Sequence, residues 1–275
     1  MIYSGIANGT RAILAARANI LKNVFRERML RRTLNLRDHI QIICPMVNYH
    51  GGLNSHESIV VRSSFLDALT KPSNLPEEIC SIPGPSGQKY RSFINRLISS
   101  ISDPRYLEIG SWKGSTAAAA LRGNRARALC IDNWSQFGGP RSEFLANINK
   151  SLSSEIDFTL LEEDFRAVDY SEIGTFNVYM FDGPHAEVDH YDGIVLAQPA
   201  LSSPHILVVD DWNWRRVRLG TLRAFRNLGC NIEYAIELRT TLDDSHGPVV
   251  NEKSEWHNGY FIAVIRKQLS GSDSV

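Results

Sequence analysis

Cysteine is sparse in this chain. The four present among 275 residues, Cys44, Cys80, Cys130 and Cys230, stand far apart, with no CxxC pair and no Cys/His cluster. That spacing argues against a zinc site or a disulfide framework and leaves them as buried thiols of a reducing compartment. Net charge is missing too: 30 Lys and Arg balance 30 Asp and Glu, so no global field draws the chain to nucleic acid or to an anionic membrane. There is no apolar run of transmembrane length and no apolar core with a cleavage site at the N-terminus, so a cytoplasmic location is expected. The stretch up to Arg26 does carry Arg11, Arg17, Lys22 and Arg26 without an acid, a composition shared with transit peptides. No internal repeat is visible. With 43% hydrophobic and 22% charged residues, disorder of the whole chain is excluded and a sizeable core is expected.

Between residues 9 and 34, Leu14, Ala18, Leu21, Phe25 and Met29 recur at helical spacing, with arginines mostly elsewhere on the wheel. This predicts a basic amphipathic helix that packs on its own domain or on a second subunit, making it the candidate contact of a homo-oligomer; a membrane-surface helix is the competing reading. Residues 41–69 have no clear period, apart from a short strand expected at 58–62. His50, His56 and Glu57 lie close in sequence but lack ligand spacing, so a polar loop is expected there. Residues 71–88 crowd Pro72, Pro76, Pro83, Pro85, Gly84 and Gly87, the composition of a linker or lid. The expected organisation is a helical extension over 1–70, the linker or lid over 71–88, a nucleotide-type α/β domain over 89–268 and a flexible tail over 269–275.

From Tyr90 the pattern is regular. Phe93, Leu97 and Ile101 mark a helix face. Strand-like runs follow at 105–109, 128–131, 158–161, 176–181, 206–209, 232–236 and 260–265. Helical segments fit at 116–121, 142–151, 186–201 and 217–228. Alternation of strand and helix predicts a parallel sheet with right-handed crossovers. No helical pattern separates the last two strands, so they should pair antiparallel. The expected fold is therefore an α/β, Rossmann-like one with seven strands, mostly parallel, the last antiparallel.

Ligands of such sheets sit beyond the carboxyl ends of the strands where strand order reverses. The first strand ends in Glu108-Ile109-Gly110-Ser111-Trp112-Lys113-Gly114-Ser115-Thr116, an acid followed by two glycines around a tight turn. Gly110 would let backbone approach a ligand, and Gly114 would let the next helix start near the sheet. A dinucleotide site wants GxGxxG for its pyrophosphate. An acid two residues before the first glycine instead suits a ligand that is positive at this end, and S-adenosylmethionine has an amino group and a sulfonium there. Asp132, ending the second strand, could accept ribose hydroxyls. Asp164 and Phe165, after the third, could meet the amino group and the face of adenine. Helix capping is the competing role for both acids. Trp134 could cover the adenine or fill a core position.

Over about residues 87–267 the chain resembles the class I S-adenosylmethionine-dependent methyltransferases. The run from Leu107 to Thr116 is similar to the cofactor motif of their metal-dependent O-methyltransferases, including the macrocin and mycinamicin sugar O-methyltransferases. The cofactor set implied comprises Glu108, Gly110, Ser111, Gly114, Ser115, Asp132, Trp134, Asp164, Phe165 and Asp182. More specific is Phe181-Asp182-Gly183-Pro184-His185, followed after a helix and a strand by Val209-Asp210-Asp211-Trp212. The resemblance implies Asp182, Asp210 and Asp211 as ligands of a metal and His185 as the base. Converging carboxylates with open positions suit Mg²⁺, with Mn²⁺ as the alternative. Such a metal lowers the pKa of a bound hydroxyl, and a histidine in reach takes its proton. Trp212 and Trp214 could lie against the apolar face of a sugar or could be packing residues.

The turn lacks the middle glycine of ExGxGxG, and the second strand-five acid is Asp where catechol-type relatives have Asn, which disfavours a catechol acceptor. The expected function is O-methylation of a hydroxyl on a sugar, glycan or glycosylated small molecule. Alternatives are a nucleotide-binding oxidoreductase on the same fold, or a non-catalytic module docking a partner through the basic helix.

Overall fold

Residues 45–267 are described in a computed structural model. They belong to a compact unit that begins at Cys44. The basic helix expected over 9–34, any oligomer contact made through it, and the tail over 269–275 lie outside the described residues.

An eight-stranded sheet organises the unit. Its strands are β1 (Met46–Gly51), β2 (Arg105–Ile109), β3 (Ala126–Ile131), β4 (Ile156–Leu161), β5 (Phe176–Phe181), β6 (Leu201–Val209), β7 (Asn231–Arg239) and β8 (Tyr260–Arg266). They lie side by side in the order β1-β7-β8-β6-β5-β2-β3-β4. Strands β2 to β6 pair parallel, while β8 runs antiparallel to both β6 and β7. This is the expected Rossmann-like α/β fold, mostly parallel with an antiparallel last strand. The eighth strand is the addition: β1 pairs antiparallel with β7 from Met46 opposite Arg239 to Gly51 opposite Tyr234. Five of its six residues are exposed, so it has no alternation of apolar and polar residues to read.

Each core-facing strand alternates between two apolar layers. Tyr106, Val178, Met180, Ile206 and Val208 face one layer; Leu107, Ile109, Tyr179, Phe181, Leu207 and Val209 face the other. The first is covered by α1 (His56–Thr70), α3 (Gln88–Ser100), α4 (Ser115–Leu121) and α5 (Arg141–Ile148), and the second by α6 (Glu187–Leu196) and α7 (Arg215–Leu228).

The strand expected at 58–62 is corrected here: these residues form the first half of α1. Its start is fixed by a reciprocal cap, Ser55 Oγ accepting from Ser58 N–H and Ser58 Oγ from Ser55 N–H, a box with serine where Glu or Gln is usual. The β-branched run Ile59-Val60-Val61 resembles a strand, but Val61 and Phe65 are both fully buried one helical turn apart. The segment at 71–88, expected as a linker or lid, packs into the same core as the helices on either side of it. The proline-rich segment contains the one-turn helix α2 (Glu77–Cys80), and Ile79 and Ile82 sink into the same core as Phe65 and Phe93. Arg91, fully buried, donates to the carbonyls of Ile79, Cys80 and Gly84 and to Ser86 Oγ, which ties the segment down. Of the described cysteines only Cys130 is buried; Cys80 and Cys230 are half-buried free thiols.

Candidate active site

Strand order reverses between β2 and β5. Backbone pairing runs one residue past each strand end: Asp132 N–H donates to Leu161, Gly110 to Ile131, Asp182 to Ile109 and Asp210 to Phe181, at 3.0, 3.2, 2.9 and 3.2 Å for Gly110, Asp132, Asp182 and Asp210 respectively. This staircase sets an acid at the end of β3, β5 and β6 along one edge. Beyond it opens a cavity of about 890 Å³. Seven of the expected residues line it: Gly110, Asp132, Asp164, Phe165, Asp182, His185 and Asp211.

On the β2–β4 side, Gly110 has φ +86°, and a Cβ there would press into the carbonyl of Asp182. The close approach that requires glycine is thus to the neighbouring strand end. Asp132 accepts the N–H of Trp112 on Oδ2 and of Trp134 on Oδ1, each at 2.7 Å, so it braces the turn while still facing the cavity. Asp164 Oδ1 accepts Arg166 N–H, which curls the chain so that Phe165 packs edge-on to Phe181. The Arg166 guanidinium covers the other side of that ring and is held by Asp189 and Asp192.

The remaining cofactor residues do not line the cavity. Gly114, at φ +77°, caps α4, and a Cβ there would meet the Phe144 ring at 2.9 Å. Ser111 is buried, and Ser115 is buried with Oγ 2.9 Å from Ser86 Oγ. Trp134 tucks against Phe144 and donates Nε1 to Trp112 O, which makes it a packing residue. Glu108 points into the core below the turn. Its Oε2 accepts from Tyr106 OH, its Oε1 has no partner, and burial pushes its carboxyl up to about 7.

On the β5–β6 side, burial first and neighbouring carboxylates second push two carboxyls well above the usual range, Asp182 through the charges of Asp210 and Asp211, and Asp210 through that of Asp211. Among the described residues no lysine or arginine pairs with Glu108, Asp182, Asp210 or Asp211. Asp211 takes φ +56°, a left-handed conformation that turns its carboxylate to the cavity. Its Oδ1 accepts from Asn258 Nδ2 at 2.7 Å, and Oδ2 stands 3.2 Å from His185 Nε2. His185 Nδ1 is buried without a partner. The Asp182 and Asp210 side chains interact directly, and Asp211 stands beside them. Ligand atoms of Asp182, His185 and Asp211 lie within 4.8 Å of one another, whereas Asp210 is absent from that group and from the cavity wall. The peptide turn that exposes Asp211 directs Asp210 inward, where its Oδ1 accepts Asp211 N–H.

The loop that closes this side is the polar stretch 240–257 that sequence reading gave to acceptor specificity, without singling out its histidines. Asn213 accepts the N–H groups of Thr240 and Thr241 and donates to Asn258, fixing the 240–258 loop across the end of β6. That loop brings His246 and His257 to the cavity. Both lie near Asp211, within ligand distance. His257 Nδ1, however, accepts Asn251 N–H at 3.1 Å, and burial pushes its pKa down to about 4. The proton of the neutral ring therefore sits on Nε2, leaving no lone pair for a metal. Of the two tryptophans, Trp212 is buried and stacked on Phe261, while Trp214 lines the cavity edge-on to His185. Only the loop's polarity signalled a surface segment; its histidines carry no spacing motif.

Residues 107–212 match the family model described as a methyltransferase domain. No curated protein matches the chain in sequence. Among solved structures the chain is similar to a SAM-dependent methyltransferase candidate from Streptococcus mutans, with 16% identity and TM-score 0.45 over 65% of this chain and 48% of that one. It thus spans about half the length of that protein. The cofactor-bound protein Rv0187 from MTB is 17% identical, with TM-score 0.47 over 78% of this chain and 92% of that one. The O-methyltransferase from Bacillus cereus, solved with SAH, is 11% identical, with TM-score 0.44 over 76% and 90%. The match to the methyltransferase-domain model thus runs from β2 to Trp212, less than half of the chain.

Proposed function

We propose that the chain is an S-adenosylmethionine-dependent O-methyltransferase acting on a hydroxyl of a sugar, a glycan or a glycosylated small molecule, assisted by Mg²⁺ or, alternatively, Mn²⁺. The observation that carries the reading is the His185–Asp211 pair, 3.2 Å apart on the wall of the cavity that opens over Gly110 and Asp182. The donor fits the electrostatics: four carboxylates at or below the cavity floor have no protein cation among the described residues, and Glu108 Oε1 is unpartnered. An amino group and a sulfonium would relieve that excess negative charge. When bound, S-adenosylmethionine supplies a methyl group on an electrophilic sulfonium.

Asp132 faces the space for the ribose, and Asp164 and Phe165 that for the adenine. Ser111, Gly114, Ser115 and Trp134 hold the turn from behind. A divalent cation also fits, held by Asp182 and Asp211 with other positions left to solvent or acceptor, and it would supply Lewis acidity. The Asp211 carboxylate, 3.2 Å from Nε2, holds the His185 imidazole on the cavity wall, where it would accept the hydroxyl proton. Asp211 then stabilises the resulting imidazolium, and Trp214 offers an indole to the C–H face of a sugar. The free thiols suit a reducing, cytoplasmic setting. The test is transfer of labelled methyl from S-adenosylmethionine to a panel of glycosides, with and without chelator. A chain that binds NADH but not S-adenosylhomocysteine would instead be the oxidoreductase alternative.

A further inference from the structure

Phe137 is 73% exposed, the most exposed large apolar side chain described, and it stands on the cavity wall with Asp132, Asn133, Ser135 and Gln136. Nothing in the fold accounts for it. Its ring makes no aromatic pair and joins neither core layer among the described residues. Its backbone is held in an unfavourable conformation, φ +50°, followed by Gly138 at +82° and Gly139 at +60°. Trp112 Nε1 reaches the Phe137 carbonyl at 3.4 Å, so the strained turn is tied to the cofactor turn. An exposed aromatic held by a strained turn over a cavity costs stability with no folding benefit, and a bound ring is what would offset that cost.

Resting on the proposed methyl donor, we infer that Phe137 is a cofactor-binding residue whose ring covers the adenine of a bound adenosyl ligand. Trp134, three residues earlier, is the tryptophan for which sequence alone left adenine cover and a core position open, and its ring is committed to Phe144. Phe137 supplies an apolar face from the loop after β3, and Phe165 supplies one from the loop after β4. Adenine placed between them meets aromatic surface from both loops.

Calorimetric titration of the full chain with S-adenosylhomocysteine and with adenosine tests this, using wild type, Phe137→Ala and Phe137→Trp. Phe137→Ala should raise Kd for both ligands about tenfold, the usual scale of one base–aromatic stack. Its unliganded melting temperature should match wild type within roughly a degree, as expected for an exposed side chain. Phe137→Trp should recover affinity and gain a fluorescence change on adenosine binding. An alanine variant within about twofold of wild type for adenosine overturns the inference, and a loss confined to S-adenosylhomocysteine moves the contact off the adenine and overturns it as well. Wild type that binds neither ligand overturns both this inference and the methyl-donor reading.

Discussion

His185 Nε2 and Asp211 Oδ2 face each other at 3.2 Å although they come from different strand ends, His185 after β5 and Asp211 after β6. Asp211 is held from its other side by Asn258, so the carboxylate is fixed before the imidazole meets it. An imidazole oriented this way fits a base, and removing it tests the role. His185→Ala should lower the chemical step by roughly 10²- to 10⁴-fold while leaving S-adenosylhomocysteine affinity near wild type. His185→Gln separates orientation from proton transfer, since an amide keeps a hydrogen bond but takes no proton. Single-turnover rates for the glutamine variant close to wild type would remove His185 from proton transfer.

Metal dependence has its own readout. Excess chelator should abolish turnover and Mg²⁺ should restore it, with cofactor binding largely unaffected. Asp211→Ala should behave as chelated wild type, and Asp210→Asn, buried behind the cavity, should not weaken Mg²⁺ binding as Asp182→Asn does. Undiminished turnover in chelator would return these acids to structural roles.

S-adenosylhomocysteine should raise the melting temperature by mass action on the native state. Gly110→Ala should lower the melting temperature even without ligand, because its Cβ collides with the Asp182 carbonyl and its φ is +86°. An alanine variant as stable as wild type would show that β2 and β5 can separate at their ends.

Acid should destabilise the protein through three buried histidines. Burial lowers His190 to about 3, and His205 and His257 to about 4, from 6.5. The unfolded chain binds these protons first as pH falls, so stability is complete above about 6.5 and declines toward 4, by up to about 1.4 kcal/mol per pH unit per histidine. His190 is the sharpest test because it is fully buried and neither nitrogen has a partner. His190→Leu should flatten the fall in melting temperature between pH 6.5 and 4.5. A variant with the wild-type slope would mean that water reaches the imidazole.

Cofactor affinity should depend on pH through Glu108, whose carboxyl is pushed up to about 7. A cationic ligand favours the ionised form, so S-adenosylmethionine, with its sulfonium and amino group, should bind more tightly as pH rises from about 6 to 8. Glu108→Gln should bind weakly with a flat profile. A flat wild-type profile would place the ligand's amino group elsewhere.

The parallel strands and the strand-end acids were legible because burial on both faces writes continuous apolar runs, and a site at strand ends follows each run directly. Asp132, Asp164, Asp182, His185 and Asp211 reach the cavity as their places after β3 to β6 imply. What escaped depends on tertiary contact. β1 is an exposed edge whose partner lies 183 or more residues away in the chain, and α1 hides its helical period behind β-branched residues. Asp210 and Asp211 look equivalent in sequence; only the left-handed turn at Asp211 separates an inward carboxylate from an outward one. Likewise Trp134 and Phe137 are both aromatic loop residues, distinguished only by which one found a neighbour to pack against.

The fit of Gly110 beneath the Asp182 carbonyl has a bearing on how this protein could diversify. The two halves of the strand-end rim share a boundary with no spare volume, so a mutation on one side is felt at once on the other. New acceptors therefore have to be accommodated where backbone is not interlocked, in the loops at 133–140 and 240–258. Variation in an acceptor repertoire should accumulate there, around a rim that stays the same.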